Sequence, residues 1–160
     1  MENEIKLNTE TGLANQEFID KITQLEKLML ECDDPAIEKF EDGTSEIFPL
    51  THSFSEGIYV REMFLPAGSF MIGKIHKFDH TIFLLKGKIL VATEEGTVCL
   101  TAPCYVQSPA GAKRAGYVLE DTLWVNVHAN PSNTHDIKTL EDSYVCASYS
   151  DYNEYKLLNK

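Results

Sequence analysis

Two histidines four residues apart, His76 and His80, have the types and spacing to do chemistry. A neutral imidazole is a good ligand for zinc, iron, nickel, copper or manganese. The spacing also suits one face of a helix. Gly73 and the strand-forming runs Ser69–Ile75 and Thr81–Leu85 argue instead for a strand, a tight corner at Lys77-Phe78-Asp79 and a second strand. His76 then leaves one strand and His80 enters the next, so both imidazoles can aim at one point. The glutamate that follows the first histidine of a zinc-protease motif is missing. The functional reading is a metal site; the plainer one is a pair of hydrogen-bonding histidines at a corner.

Other candidates follow from strand alternation. Trp124, Asn126 and His128 share one face of a late strand, while Leu123, Val125 and Val127 share the other. The mixed face either lines a pocket, with His128 as a further ligand, or meets solvent near a strand end. His52 lies in an expected loop and joins the cluster if that loop folds over the site. His135, in a polar segment, is expected in solvent. Arg61, Glu62 and Arg114 are charges inside strand patterns, a position that usually faces water. Arg61 and Glu62 have opposite parity, so one of the two faces inward. Glu62 is a candidate general base. Tyr59 shares the parity of Arg61 and adds a phenol, and Lys74 shares that of His76.

The elements that must position these residues can be read from periodicity. Phe18, Ile22, Leu25, Met29 and Cys32 recur at helical spacing, which predicts an amphipathic helix from about Asn15, its N-cap, to Cys32. Pro35 ends it. From Gly57 to Asn130 the texture is all β. Strands are expected at Gly57–Leu65, Ser69–Ile75, Thr81–Leu85, Ile89–Thr93, Thr97–Thr101, Tyr105–Ser108, Lys113–Leu119 and Thr122–Ala129. Turns are expected at Pro66-Ala67-Gly68, Lys86-Gly87-Lys88, Glu94-Glu95-Gly96, Pro109-Ala110-Gly111 and Glu120-Asp121. Short strands at this spacing make a sandwich or small antiparallel barrel. The division expected is a flexible 1–14, a helix and connecting loop at 15–56, a barrel at 57–130 and a polar tail at 131–160, with a short helix near Ile137–Ser143.

Composition sets the outer bounds. The 160 residues suffice for one domain with a real core. A net charge of −11 argues against binding a nucleic acid polymer, although a local pocket can oppose the global sign. No apolar run reaches membrane-span length and the N-terminus does not read as a signal peptide, so a cytoplasmic protein without membrane contact is expected. The four cysteines form no CxxC pair and are expected to be reduced and mostly buried, with a redox or metal role open for Cys99 and Cys104.

The order of turns resembles the two motifs of the cupins, which are jelly-roll β-barrels: Pro66-x-Gly68, the histidine corner, a strand ending in Gly87, and Pro109-x-Gly111. The resemblance implies an all-β jelly-roll barrel over roughly 57–130, following an N-terminal amphipathic helix. It also implies one transition metal held by three histidines and a glutamate. The chain departs at the ligands. His80 stands where the family places its glutamate, Arg114 stands where the second motif places a histidine, and near the first histidine pair there is only His76. Arg114 would then face the barrel interior and need an anionic partner, either Glu62 or a ligand. Glu62 would otherwise stand in for the missing carboxylate. Three further segments, His52–Glu62, Gly73–His80 and Glu120–His128, resemble small cupin-like proteins of tailed phages and prophages.

The expected function is binding of a small polar or anionic molecule in the barrel beside a divalent transition metal (zinc, iron, manganese or nickel). The metal ligands would be His76 and His80, completed by His128, His52 or Glu62, with Arg114, Arg61 and Tyr59 on the ligand. A homodimer is expected, with the Phe18–Cys32 stripe adding burial. The alternatives are a non-catalytic binder that sequesters a small molecule, such as a nucleotide-derived immune signal, and an assembly protein without pocket chemistry.

Overall fold

The computed structural model describes residues 4–6, 16–34, 36–37 and 47–159. The expected N-cap at Asn15 and the segment 1–14 apart from residues 4–6 lie outside the described residues, as do residues 35 and 38–46. The strands are β1 (Glu4–Lys6), β2 (Leu50–Ser55), β3 (Gly57–Leu65), β4 (Phe70–Ile72), β5 (Ile75–His76), β6 (His80–Thr93), β7 (Gly96–Thr101), β8 (Cys104–Ser108), β9 (Ala115–Asn130) and β10 (Val145–Cys146). The helices are α1 (Gln16–Glu31), α2 (Ile137–Tyr144) and α3 (Tyr149–Leu158). The result is the expected all-β jelly-roll barrel with an N-terminal amphipathic helix.

The main sheet runs β1-β8-β6-β9-β3-β2, with β4 also pairing β9 and β7 also pairing β6. Two long strands, β6 and β9, therefore carry both halves of the barrel. Each was expected as two short strands. Lys86-Gly87-Lys88 and Glu120-Asp121 do not turn the chain back. They sit where the β6–β9 register slips, between Leu84 and Ile89 of β6. A bulge bends a strand without ending it, which local turn chemistry does not distinguish from a reversal. Gly87 is required there. Its φ is +89°, and a Cβ would collide with the Asp121 carbonyl oxygen and Thr122.

The main core fills the barrel with Phe48, Met63, Leu65, Leu84, Ile89 and Leu100 among others. The stripe of α1 packs on its own barrel: Ile22 and Met29 are buried against Ile72 and Ala115, with Phe18 and Leu25 beside them. The Lys113 ammonium, buried, pairs with Glu26 of α1 at 2.6 Å. That stripe is therefore already covered within the chain.

The segment after Asn130 is structured. Asp136 caps α2 by accepting from the Thr139 N–H at 2.9 Å, and Ser148 and Asp151 form a capping box on α3. β10 pairs with β5, setting Val145 opposite His76. Leu140 and Tyr144 of α2 are buried against Tyr59. Tyr152 of α3 packs with Ile75 and Cys146, over Gly111, where a Cβ would come within 2.8 Å of its ring. Cys146 is buried, Cys32 and Cys104 are half-buried and Cys99 is exposed, fewer enclosed thiols than expected.

Candidate functional site

Strand register sorts the inward side chains into layers. Tyr59 of β3 lies opposite His128 of β9, Arg61 opposite Asn126, and Met63 opposite Trp124. On β6, Ile82 lies opposite Asn126 and Leu84 opposite Trp124, so His80 falls level with His128. Successive inward residues thus run from a histidine layer, through a charged layer, to an apolar layer. His76 joins the first of these from β5, on the edge that β10 pins.

In the histidine layer, ring centroids are 3.8 Å apart for His76–His80 and 5.3 Å for each of them to His128. Tyr144 of α2 stacks on His128 at 4.1 Å. His80 and His128 are buried, and Nδ1 of His76, Nδ1 of His80 and Nε2 of His128 are enclosed without a hydrogen-bond partner. Burial holds the His80 imidazole down at about 4 and that of His128 at about 3; His128 is depressed further by His80. Burial, then the two neighbouring imidazoles, hold His76 well below the ordinary histidine value. All three are neutral at pH 7, the form a metal requires.

Three neutral imidazoles with unpartnered nitrogens have the donor chemistry of a transition-metal site. Three imidazoles on one tetrahedral ion place their centroids roughly 5 Å apart. The two His128 distances meet that figure, and the stacked His76–His80 pair is closer. Among the described residues, no three His, Cys, Asp or Glu side chains are arranged around a common point. One ring of the His76–His80 pair must turn for the trio to hold an ion.

His52 does not join the trio. Its expected loop is strand β2, paired in register with β3, and its Nδ1 lies 2.8 Å from the Tyr59 hydroxyl. Tyr59 is fully buried under Leu140 and Tyr144. It supports the histidine layer from behind and does not line the chamber described next. His135 is exposed, and its ring stacks on Phe54 at 4.3 Å.

Below the histidines lies a cavity of about 90 Å³. Its polar lining includes Arg61, Lys74, Ser108, Arg114, Asn126 and Glu141. Arg61 Nη1 donates to Glu141 Oε1 at 3.1 Å, and Lys74 Nζ donates to Glu141 Oε2 at 3.2 Å. The Arg61 and Glu141 side chains are 13% and 6% exposed, so this is an enclosed ion pair. Arg114 Nη1 donates to Ser108 Oγ at 2.7 Å, while its Nε and Nη2 are buried and unpartnered. Burial lowers the Arg114 pKa from its ordinary value. Three cations thus face one carboxylate. A second cavity, about 390 Å³, opens on the other side of the histidines and is lined by His128, Asn130, Ser143 and Tyr144; His76 and His80 border both.

Of the expected residues, Arg61, Arg114, His76, His80 and His128 come together. Glu62 does not: Arg61 takes the inward parity of β3, and Glu62, half-buried, lines neither cavity. The carboxylate in the chamber is Glu141, which sequence reading missed together with Tyr144. The i+3 spacing of Glu141 and Tyr144 on a short helix was a signal of sorts, but nothing local says which surface that helix covers.

No family model matches the chain, and no curated protein matches it. Among solved structures, the chain is similar to a cupin domain from Bordetella pertussis, at 21% identity over 52% of this chain and 93% of that one, with a TM-score of 0.41. It is similar to a cupin-2 domain protein from Shewanella frigidimarina at 11% identity, over 77% and 100% of the two chains, with a TM-score of 0.45. A cupin superfamily protein from Desulfitobacterium hafniense gives 10% identity, 52% and 78% coverage, and a TM-score of 0.46.

Proposed function

We propose that the barrel binds a small anionic molecule, held by Arg114 and Arg61, with a divalent transition metal on His76, His80 and His128 beside it. The observation that carries the anion is Arg114: two enclosed donors without acceptors, in a chamber where cations outnumber carboxylates three to one. An unpaired buried guanidinium is costly, and an anion supplies what it lacks. Arg61 is already half-satisfied by Glu141, so Arg114 is the primary anchor. A metal on the trio would act as a Lewis acid on a ligand oxygen or activate water. The chain's own groups orient the ligand, keep the imidazoles neutral and close the mouth with α2.

Isothermal titration with acetate and with phosphate tests the anion site. Arg114→Met is expected to weaken anion binding at least tenfold, about 1.4 kcal/mol, and to raise unfolding stability by roughly 1 kcal/mol, because it removes unsatisfied buried donors. Unchanged affinity in the variant would sink the reading. Elemental analysis of the purified protein tests the metal, with loss expected in both His80→Ala and His128→Ala.

A second reading, sequestration without turnover, is favoured by Arg114 standing where the cupin pattern has a ligand. A nucleotide-sized molecule of the kind expected for a phage-type binder exceeds the inner chamber and would have to occupy the 390 Å³ cavity as well. Mass spectrometry of small molecules carried through purification separates the two. The homodimer is likewise a proposal, with Phe83 and Leu85 as exposed apolar surface on β6; sedimentation equilibrium reads it.

A further inference from the structure

The orientation of the free donors on Arg114 is specific. Nη1 is tied to Ser108, which fixes the guanidinium plane. The unpartnered pair, Nε and Nη2, is the side edge of that plane, with two N–H bonds running parallel. Such a fork matches two coplanar oxygens of one carboxylate. Beyond the charged layer, the walls of the same chamber are Met63, Met71, Ile89, Val91 and Trp124, which offer almost no polar partner. The Trp124 indole N–H is already given to Asn126 Oδ1 at 3.1 Å. A second charge or a hydroxyl at that end would be buried without a partner.

Size narrows the class further. A cavity of about 150 Å³ takes the six carbons of benzene, so the 90 Å³ here accommodates roughly four non-hydrogen atoms, or five with some give in the walls. The floor is formed where Gly116 meets β6 and β4: a Cβ on Gly116 would lie 3.0 Å from Ile89 Cδ1 and 3.5 Å from Met71 Cγ. The chamber therefore ends at a glycine, and two flexible side chains set its depth.

We infer that the ligand of the inner chamber is a short-chain monocarboxylate, its carboxylate side-on against Arg114 Nε and Nη2 beneath the histidines and its tail of one or two carbons on the Met63–Met71–Gly116 floor. This rests on the anion-binding reading and specifies it. Phosphate meets the fork equally well, but its remaining oxygens would face the apolar wall.

The test is a titration of the full-length protein with sodium acetate, propionate, butyrate, hexanoate, phosphate and neutral propionamide. Acetate or propionate is expected to bind best, and hexanoate, phosphate and propionamide at least tenfold more weakly. Met71→Ala is expected to move the preferred chain one or two carbons longer and Gly116→Ala to move it shorter; a general loss of stability would not re-rank a series. Phosphate binding as tightly as acetate or propionate, or affinity rising steadily through hexanoate, would overturn the carboxylate assignment and leave the anion reading intact. Failure of every anion in the wild-type protein would overturn both.

Discussion

At the scale of single residues, the site is built from ionisable groups whose charged forms are disfavoured by burial. Three imidazoles are kept neutral by burial, and one guanidinium is enclosed with two of its donors unpartnered, only the more distant Glu94 carboxylate favouring its charge. The histidines have a consequence for stability. The folded pKa values of His80, about 4, and His128, about 3, lie below the 6.5 of an unfolded chain. Above pH 6.5 both states are neutral and the full stability is present. As pH falls below 6.5 the unfolded chain takes up protons that the native state refuses, so stability is lost toward the folded pKa values. The metal-free protein should lose up to about 1.4 kcal/mol per pH unit for each such histidine, roughly 3 kcal/mol in all for His80. Urea unfolding between pH 7 and pH 4 checks this, with His80→Asn expected to give the shallower decline. Equal slopes would contradict it. That His76 and His80 come together was legible from their spacing and flanks. That Glu62 yields to Glu141 was not, because strand parity says that one of Arg61 and Glu62 points inward without saying which.

Elements position those groups through two features. One is the bulge in β6. It lets a single strand bring His80 and Ile82 to one half of the barrel and Ile89 and Val91 to the other, with Gly87 at the point of closest approach to β9. Gly87→Ala should destabilise the protein by roughly 2–4 kcal/mol, since it adds a backbone collision to an unfavourable φ. A loss below 0.5 kcal/mol on thermal or urea unfolding would show that the strands can part there at little cost. The other feature is α2, which lays Leu140 on Tyr59, Tyr144 on His128 and Glu141 between Arg61 and Lys74. Glu141 holds the helix down and also competes for Arg61. Glu141→Gln should cost roughly 1–3 kcal/mol of stability while tightening anion binding severalfold, a pairing of opposite signs that calorimetry and unfolding can read on one sample. Weaker binding would mean that Glu141 acts as a ligand partner and not as a competitor.

The whole molecule sets a cationic chamber inside a chain of net charge −11. An anion must cross an unfavourable outer field before it meets Arg114. Salt screens that long-range field and leaves the enclosed contact largely intact. The association rate of a small carboxylate should therefore rise about two- to tenfold between 0.01 M and 0.3 M salt, the reverse of an exposed cationic site; stopped-flow measurement would show it, and a falling rate would place the binding on the outer surface. Among the described residues, no helix is long and apolar enough to cross a membrane.

The sequence by itself determined the barrel class, the leading helix and the turns at Gly68, Gly96 and Gly111, and it singled out His76, His80 and Arg114 as candidates. These follow from periodicity, turn chemistry and motif order, all local properties of the chain. Only the tertiary structure decided that Gly87 bends a strand and does not end it, that the mixed face of Trp124, Asn126 and His128 points inward, and that the segment after Asn130 returns over the mouth to supply Glu141 and Tyr144. Each of these depends on which distant strand or helix lies opposite. That is settled by burial and backbone pairing across the whole barrel, and a short polar helix carries no local record of what it will cover.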